Sequence, residues 1–211
     1  MDRTNPLSRF YPWHYFMRLR YRLGYGVQSP SRYYFIRNVL HQRLPYYAYS
    51  SLPRVHGSAA KARLLFRLAN HIQAQEVVIY SDSQTNKEKV HTKALQFVFY
   101  AGCHSSTVSI VSSSDVSSTS EFTEKVKRFY YIDESHWTDE LSRDLILRIR
   151  EAPVGTLLNI EEIYSSKDNY HRWLAFVQEL KDFGLSFAAY EMNNRGLLLL
   201  DKNSFSKVFI I

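Results

Sequence analysis

Cysteine is nearly missing: Cys103 stands alone among 211 residues, which excludes an intrachain disulfide or a thiolate metal cluster and fits a reducing compartment. Long apolar runs are missing too. Nowhere do 18 apolar residues follow one another, and the opening MDRTNPLSRFYPWHYF has no apolar signal core. Neither a membrane span nor secretion is therefore expected, and a cytoplasmic location is. No G-x-S-x-G elbow, Walker loop or H-E-x-x-H pattern occurs, which leaves hydrolase, nucleotidase and zinc-protease chemistries without their usual residues. Glycine is scarce, with seven in the chain and none between Gly57 and Gly102. A loop that must admit a phosphate or nucleoside against its backbone has no permissive residue in that interval. Acid is scarce at one end: residues 1–72 hold twelve Arg or Lys against Asp2 alone, while residues 73–211 hold fifteen basic and nineteen acidic groups.

What is present is an aromatic chain built to fold. Sixteen Tyr and thirteen Phe beside a 45% apolar content argue against disorder, and the length suits one α/β domain with an extension. We read residues 1–72 as a basic helical N-terminal extension and 73–211 as the α/β domain. Phe10, Trp13, Met17 and Tyr21 fall at helical spacing beside Arg9, Arg18, Arg20 and Arg22, which predicts an amphipathic basic helix. Such a helix either packs its aromatic stripe on the domain, lies on an anionic membrane surface, or stacks on single-stranded nucleic acid such as RNA. The charge asymmetry suits an acidic partner as well, or the acidic remainder of the same chain. Ser29 is placed to cap, and Pro30 to open, a helix over 31–43. Residues 44–54, with Pro45 and Pro53, read as an extended connector, and a helix over 58–72 follows Gly57.

From there strands and helices alternate. Strands are expected over 77–81, 107–112, 128–133 and 156–161, and helices over 85–100, 121–127, 138–151 and 167–183. Two more strands, 185–192 and 196–201, follow without a helix between them. They are joined through Asn193 and Asn194, a residue type that tolerates the left-handed backbone of a tight hairpin. The pattern predicts a three-layer Rossmann-like α/β fold, mostly parallel and ending in an antiparallel hairpin. In such sheets ligands bind beyond the carboxyl ends of the strands, where strand order reverses. The turn from Ser81 through Asp82 and Ser83 to Asn86 is the expected cofactor position.

This order resembles that of the class I S-adenosylmethionine-dependent methyltransferases, and the local sequence is similar to a group of small Bacteroidetes-type members. LGYGVQSPSRYYFIRNVL resembles their GHGVHSPFVYDLI, KARLLFRLAN their YGRLLFRLAN, and YYIDESH their FIDGNH. LLNIEEIYSSKDNYHRWLAFV resembles VLIFDDIHWSKEMEQAWEEI, and RGLLLLDK their closing GLVFFR. The resemblance covers nearly the whole chain. It implies S-adenosylmethionine as cofactor, with Tyr80, Ser81, Asp82 and Ser83 in the cofactor loop. Three departures stand against it. VIYSDSQTNKE replaces the glycine-bearing ELGTSLGIST-like loop, and the second strand ends in Val111 and Ser112 where the family has a ribose-binding acid, with Asp115 further on. Only fifteen residues separate Ser112 from Arg128, too few for a helix, strand and helix crossover, which needs about thirty or more; one strand is thus expected to be lost, on the adenine side. Together these imply a methyltransferase-like protein with weakened or lost cofactor binding. The alternative is a non-catalytic binding module, a pseudoenzyme whose basic extension contacts an acidic partner, nucleic acid or a membrane surface.

Asp133, Glu161 and Glu162 lie just beyond two adjacent strands. The resemblance implies a divalent cation there, as in catechol-type methyltransferases, and hard cations such as Mg²⁺ take oxygen ligands. Carboxylates at strand ends equally cap helices or pair with basic groups. His136, with Asp133, is the candidate proton acceptor for catalysis; alternatively it fixes the loop before Trp137 by a hydrogen bond. Asp82 either binds the cofactor's amino group or starts the following helix. Cys103 beside His104 is not a catalytic pair by adjacency, and a free cysteine is usually a small core residue. If the basic extension works electrostatically, binding to RNA or to vesicles of anionic lipid falls steeply between low and moderate salt. An affinity independent of salt, measured by titration of the full chain, excludes that role.

Overall fold

Successive residues of each strand point to opposite faces of a sheet, and here both faces are apolar. Val77 and Ile79 enter one buried cluster while Val78 and Tyr80 enter another, so the sheet must be covered by helices on both sides. A computed structural model of the chain describes residues 27, 29–81, 85–112, 126–133, 136–192, 194–202 and 206–210. The basic helix expected around Phe10 to Tyr21, Asp115 and residues 121–125 of the 121–127 helix lie outside these residues, while residues 126 and 127 are described and not helical.

The helices are α1 (Pro30–Phe35), α2 (Ala59–Ile72), α3 (Asn86–Gly102), α4 (Asp139–Glu151) and α5 (Lys167–Asp182). The strands are β1 (Glu76–Tyr80), β2 (Thr107–Val111), β3 (Arg128–Ile132), β4 (Leu157–Glu161), β5 (Phe187–Met192), β6 (Arg195–Leu200) and β7 (Lys207–Ile210). They form one seven-stranded sheet in the order β2-β1-β3-β4-β6-β5-β7. The first four of that order run parallel, β6 is antiparallel to both β4 and β5, and β7 pairs parallel with β5. The fold is the expected Rossmann-like α/β architecture with a terminal hairpin. Among the described residues no strand lies beyond β2. None of their helices is long and apolar enough to cross a membrane.

Helices α1, α2 and α3 share the first apolar cluster with Val77, Ile79, Phe129 and Tyr131, while α4 and α5 share the second with Val78, Tyr80, Tyr130 and Ile132. Side-chain caps set where the longer helices begin. Ser58 accepts from the Lys61 N–H, Thr138 from Leu141 and Ser166 from Asn169, each satisfying a donor that the first helical turn leaves unpaired. Across β1 and β3, Arg128 Nε donates to Glu76 Oε2 at 2.6 Å, tying the strand starts together.

Four local features differ from the sequence-based expectation. The Ser29 hydroxyl does not cap; it meets the Ser31 hydroxyl at 2.9 Å. The helix opened by Pro30 passes through a π-helical turn, Ile36–Leu40, and stops there. Arg67 explains the stop, because its guanidinium donates to the Val39 and Leu40 carbonyls at 2.6 and 3.2 Å. The connector expected to be extended holds a 3₁₀ turn, Tyr47–Ser50, drawn in as Tyr46 and Tyr49 pack edge-on against Phe66. Finally, β7 was not expected from its short KVFI sequence; it is stabilised from outside, by pairing with β5 and by stacking of Phe209 on Tyr190 at 5.3 Å.

The hairpin is positioned by one buried ring. A Cβ on Gly196 would lie 2.9 Å from Trp173, whose Nε1 donates to the buried Glu191 carboxylate at 2.9 Å while the Tyr164 hydroxyl donates to its other oxygen at 2.7 Å. Gly196→Ala would push the indole off this carboxylate. We expect a loss of about 1–3 kcal/mol of stability, read by chemical denaturation, with an altered Trp emission.

Candidate functional site

From β1 the chain crosses to β2 on one side and then to β3 on the other, so strand order reverses between β1 and β3. The two strand ends are stitched there by the Asp133 N–H, which donates to the Tyr80 carbonyl at 3.3 Å. Two imidazoles close on the Asp133 side chain. His56 comes from the loop ahead of α2, where it holds φ at 47°, a left-handed backbone that costs a non-glycine residue about 1 kcal/mol. Its Nε2 lies 3.2 Å from Asp133 Oδ1. His91 comes from the second turn of α3, and its Nε2 lies 3.7 Å from Asp133 Oδ2. A capping box fixes where α3 begins: the Thr85 N–H donates to Glu88 Oε2 at 2.7 Å and the Glu88 N–H to Thr85 Oγ1 at 3.3 Å. The two imidazole centroids are 3.5 Å apart. Burial, and then the neighbouring His56, push the His91 imidazole down to about 4 against the pull of Asp133, so the ring is neutral at pH 7.

A second polar group adjoins the first. Glu161, at the end of β4, keeps only 2% of its side chain exposed and meets Lys61 Nζ at 3.0 Å and Arg195 Nη2 at 3.5 Å. Asn159 Nδ2 donates to its other oxygen at 3.0 Å. Burial opposes ionisation of this carboxyl, but the Arg195 and Lys61 charges outweigh it and hold the group below its ordinary range. Glu162 turns away: it takes a left-handed backbone, φ 59°, and its carboxylate accepts from the Asn194 amide of the hairpin turn. Tyr131, on the same sheet face as Asp133, has its phenol raised well above the usual range by burial, with Glu161 and Asp133 adding to the shift.

The residues expected from the sequence thus fall into separate environments. Tyr80 points to the opposite face, buried beneath α4 and α5, and burial raises its phenol. Ser81 is buried, its N–H donating to the Val111 carbonyl at 3.2 Å and its hydroxyl 3.4 Å from that of Thr92. Asp82 and Ser83 lie outside the described residues. Asp133 is central. His136 is buried beside it, donating its backbone N–H to the Asp133 carbonyl at 3.0 Å. Of the three carboxylates suggested for a cation, Asp133 faces imidazoles, Glu161 faces Lys61 and Arg195, and Glu162 faces Asn194. The sequence reading missed His56, His91, Lys61 and Arg195. Nothing in local spacing marks them, since they come from a loop, two helices and a strand that meet only in the folded chain.

The fit of S-adenosylmethionine rests on the strand ends. Strand β2 closes on Val111 and Ser112, so no carboxylate is offered at its end among the described residues. The α3 N-terminus uses two of its backbone donors in its own capping box. Without that carboxylate the described residues do not suit the cofactor's ribose, and we derive no step through it. What the site does provide is two imidazole nitrogens and a carboxylate converging at the strand reversal, beside a buried ion cluster.

No protein-family model and no curated protein matches the chain. Among solved structures it is similar to the O-methyltransferase TomG from Streptomyces achromogenes, involved in tomaymycin synthesis and in complex with SAM. That match has 10% identity over 74% of this chain and 91% of the other, with a TM-score of 0.45. It is also similar to cofactor-bound Rv0187 from MTB, at 17% identity over 96% of this chain and 100% of the other, with a TM-score of 0.46.

Lys61→Met would leave Glu161 buried with Arg195 as its remaining cation. We expect a loss of about 3 kcal/mol at pH 7, the lower end for breaking a buried pair. In the wild-type protein the depressed Glu161 carboxyl contributes stability that is present above its unfolded value of 4.5 and lost as pH falls through the lower folded value. The variant lacks much of that contribution, so denaturation curves of the two proteins should converge as the solution is acidified below 4.5.

Proposed function

We propose that the chain is an S-adenosylmethionine-dependent methyltransferase-like protein whose cofactor binding is weakened or lost. The observation that carries this reading is that the described polar groups at the strand reversal are engaged with one another. His56 and His91 close on Asp133, and Lys61 and Arg195 neutralise Glu161. In sheets of this kind the crevice there is where a ligand binds. A cofactor seated there would have to displace His56, the exposed member of the set, and separate charges that are already compensated. Asp133 and His136 remain the candidate proton acceptors of such a protein.

A non-catalytic binding module is the second reading, and the same charge compensation favours it. A Glu161 carboxylate locked to Lys61 and Arg195 stabilises a fold without offering a general base, while the basic charge of the N-terminal sequence suits an acidic partner, RNA or an anionic membrane.

Calorimetric titration of the full chain with S-adenosylmethionine and S-adenosylhomocysteine at millimolar ligand, paired with thermal unfolding, tests the proposal. Ligand at one hundred times its dissociation constant would stabilise the native state by about 2.7 kcal/mol, so binding in the micromolar range would stand out. We expect little or no shift; a stabilisation of that size overturns the loss of cofactor binding.

A further inference from the structure

We infer that His56, His91 and Asp133 form a binding site for a divalent first-row transition ion of the zinc or cobalt class, at the strand reversal between β1 and β3. Each residue offers one ligand atom, and the three atoms lie within 4.8 Å of one another. Both Nε2 atoms lie near one carboxylate, at 3.2 and 3.7 Å from its two oxygens. A tetrahedral zinc ion with its usual bond lengths holds neighbouring ligand atoms about 3.3 Å apart, so small side-chain rotations would complete the site.

The state of His91 is an independent pointer. Its side chain is 11% exposed, yet neither ring nitrogen has a hydrogen-bond partner among the described residues. A buried polar group without a partner carries its full desolvation cost, and a metal ion is a partner that an imidazole nitrogen accepts. His56 adds a second pointer, since its left-handed backbone, φ 47°, places its ring over the same carboxylate. Strain of this kind persists where surrounding structure or function demands it.

The donor set selects the ion. Two imidazoles and one carboxylate suit zinc, cobalt or nickel, whereas magnesium and calcium prefer oxygen alone. An all-carboxylate site from Asp133, Glu161 and Glu162 would require Glu161 to leave Lys61 and Arg195. With Glu161 engaged by those cations, Asp133 supplies the negative charge that an ion needs here. The side chain of His56 is 38% exposed, which leaves a path for the ion and an open position for water or another oxygen donor. A bound ion would clamp the loop before α2, helix α3 and the end of β3 together, and this holds whether or not S-adenosylmethionine binds.

The test uses the full chain, stripped with a chelator and dialysed, then titrated with Zn²⁺ by calorimetry and with Co²⁺ by visible absorption. We expect one ion per chain, a cobalt spectrum of low-coordinate nitrogen and oxygen ligation, and no displacement by an equal concentration of Mg²⁺. His56→Gln and Asp133→Asn should each weaken binding at least about 10-fold, with thermal unfolding confirming that both variants fold. Three results overturn the site: no saturable binding of either ion, unchanged affinity in either variant, or displacement by Mg²⁺. No S-adenosylmethionine is present in this experiment, so its outcome is separate from that of the cofactor titration.

Discussion

A carboxylate removed from water must find positive charge inside the protein, because the desolvation of an isolated ion costs several kcal/mol even after relaxation. Glu161 imposes that constraint on this fold. Its cations come from distant parts of the chain, Lys61 from the first turn of α2 and Arg195 from the start of β6. The N-terminal end of α2 is therefore drawn onto the carboxyl end of β4, and the insertion of β6 between β4 and β5 brings Arg195 to the same place. The loop carrying His56 enters this region just ahead of Ser58, the cap of α2. The imidazole over Asp133 thus depends on how α2 is seated, and that seating depends in part on Glu161.

The chemistry follows from this geometry. Cofactor sheets keep their strand-reversal crevice open and place flexible, glycine-bearing backbone beside it. Here the described side chains at the crevice are engaged with one another, and α3 begins with a capping box of Thr85 and Glu88. Pairing these polar groups with one another changes what can bind. Carboxylates facing cations are poorly disposed toward a hard cation, whereas two imidazoles facing one carboxylate match a softer ion.

Much of the architecture was legible because it depends on local rules. The β-branched and aromatic runs VVIY, RFYYI and LLNIE alternate between faces, and the amphipathic spacing of α2, α4 and α5 follows the helical period. The hairpin could be read from the absence of a helical pattern between two strands. Strand β7 could not, since the four residues KVFI owe their conformation to the β5 edge and the Tyr190 ring. The 3₁₀ turn at Tyr47–Ser50 escaped for the same reason: Phe66, far along the chain, organises it.

By itself the sequence determined the three layers, the mostly parallel sheet with its terminal hairpin, and the absence of glycine and acid where a nucleoside would need them. Each of these is written in side-chain periodicity or in residue type at one position. It marked Asp133 and Glu161 as strand-end carboxylates, but not what they would face. Only the tertiary structure decided that His56 and His91, 35 positions apart, would meet over Asp133, and that Lys61 and Arg195 would meet over Glu161. Periodicity acts over a few residues, whereas the partner of a buried charge is set by which elements the sheet order brings to one edge.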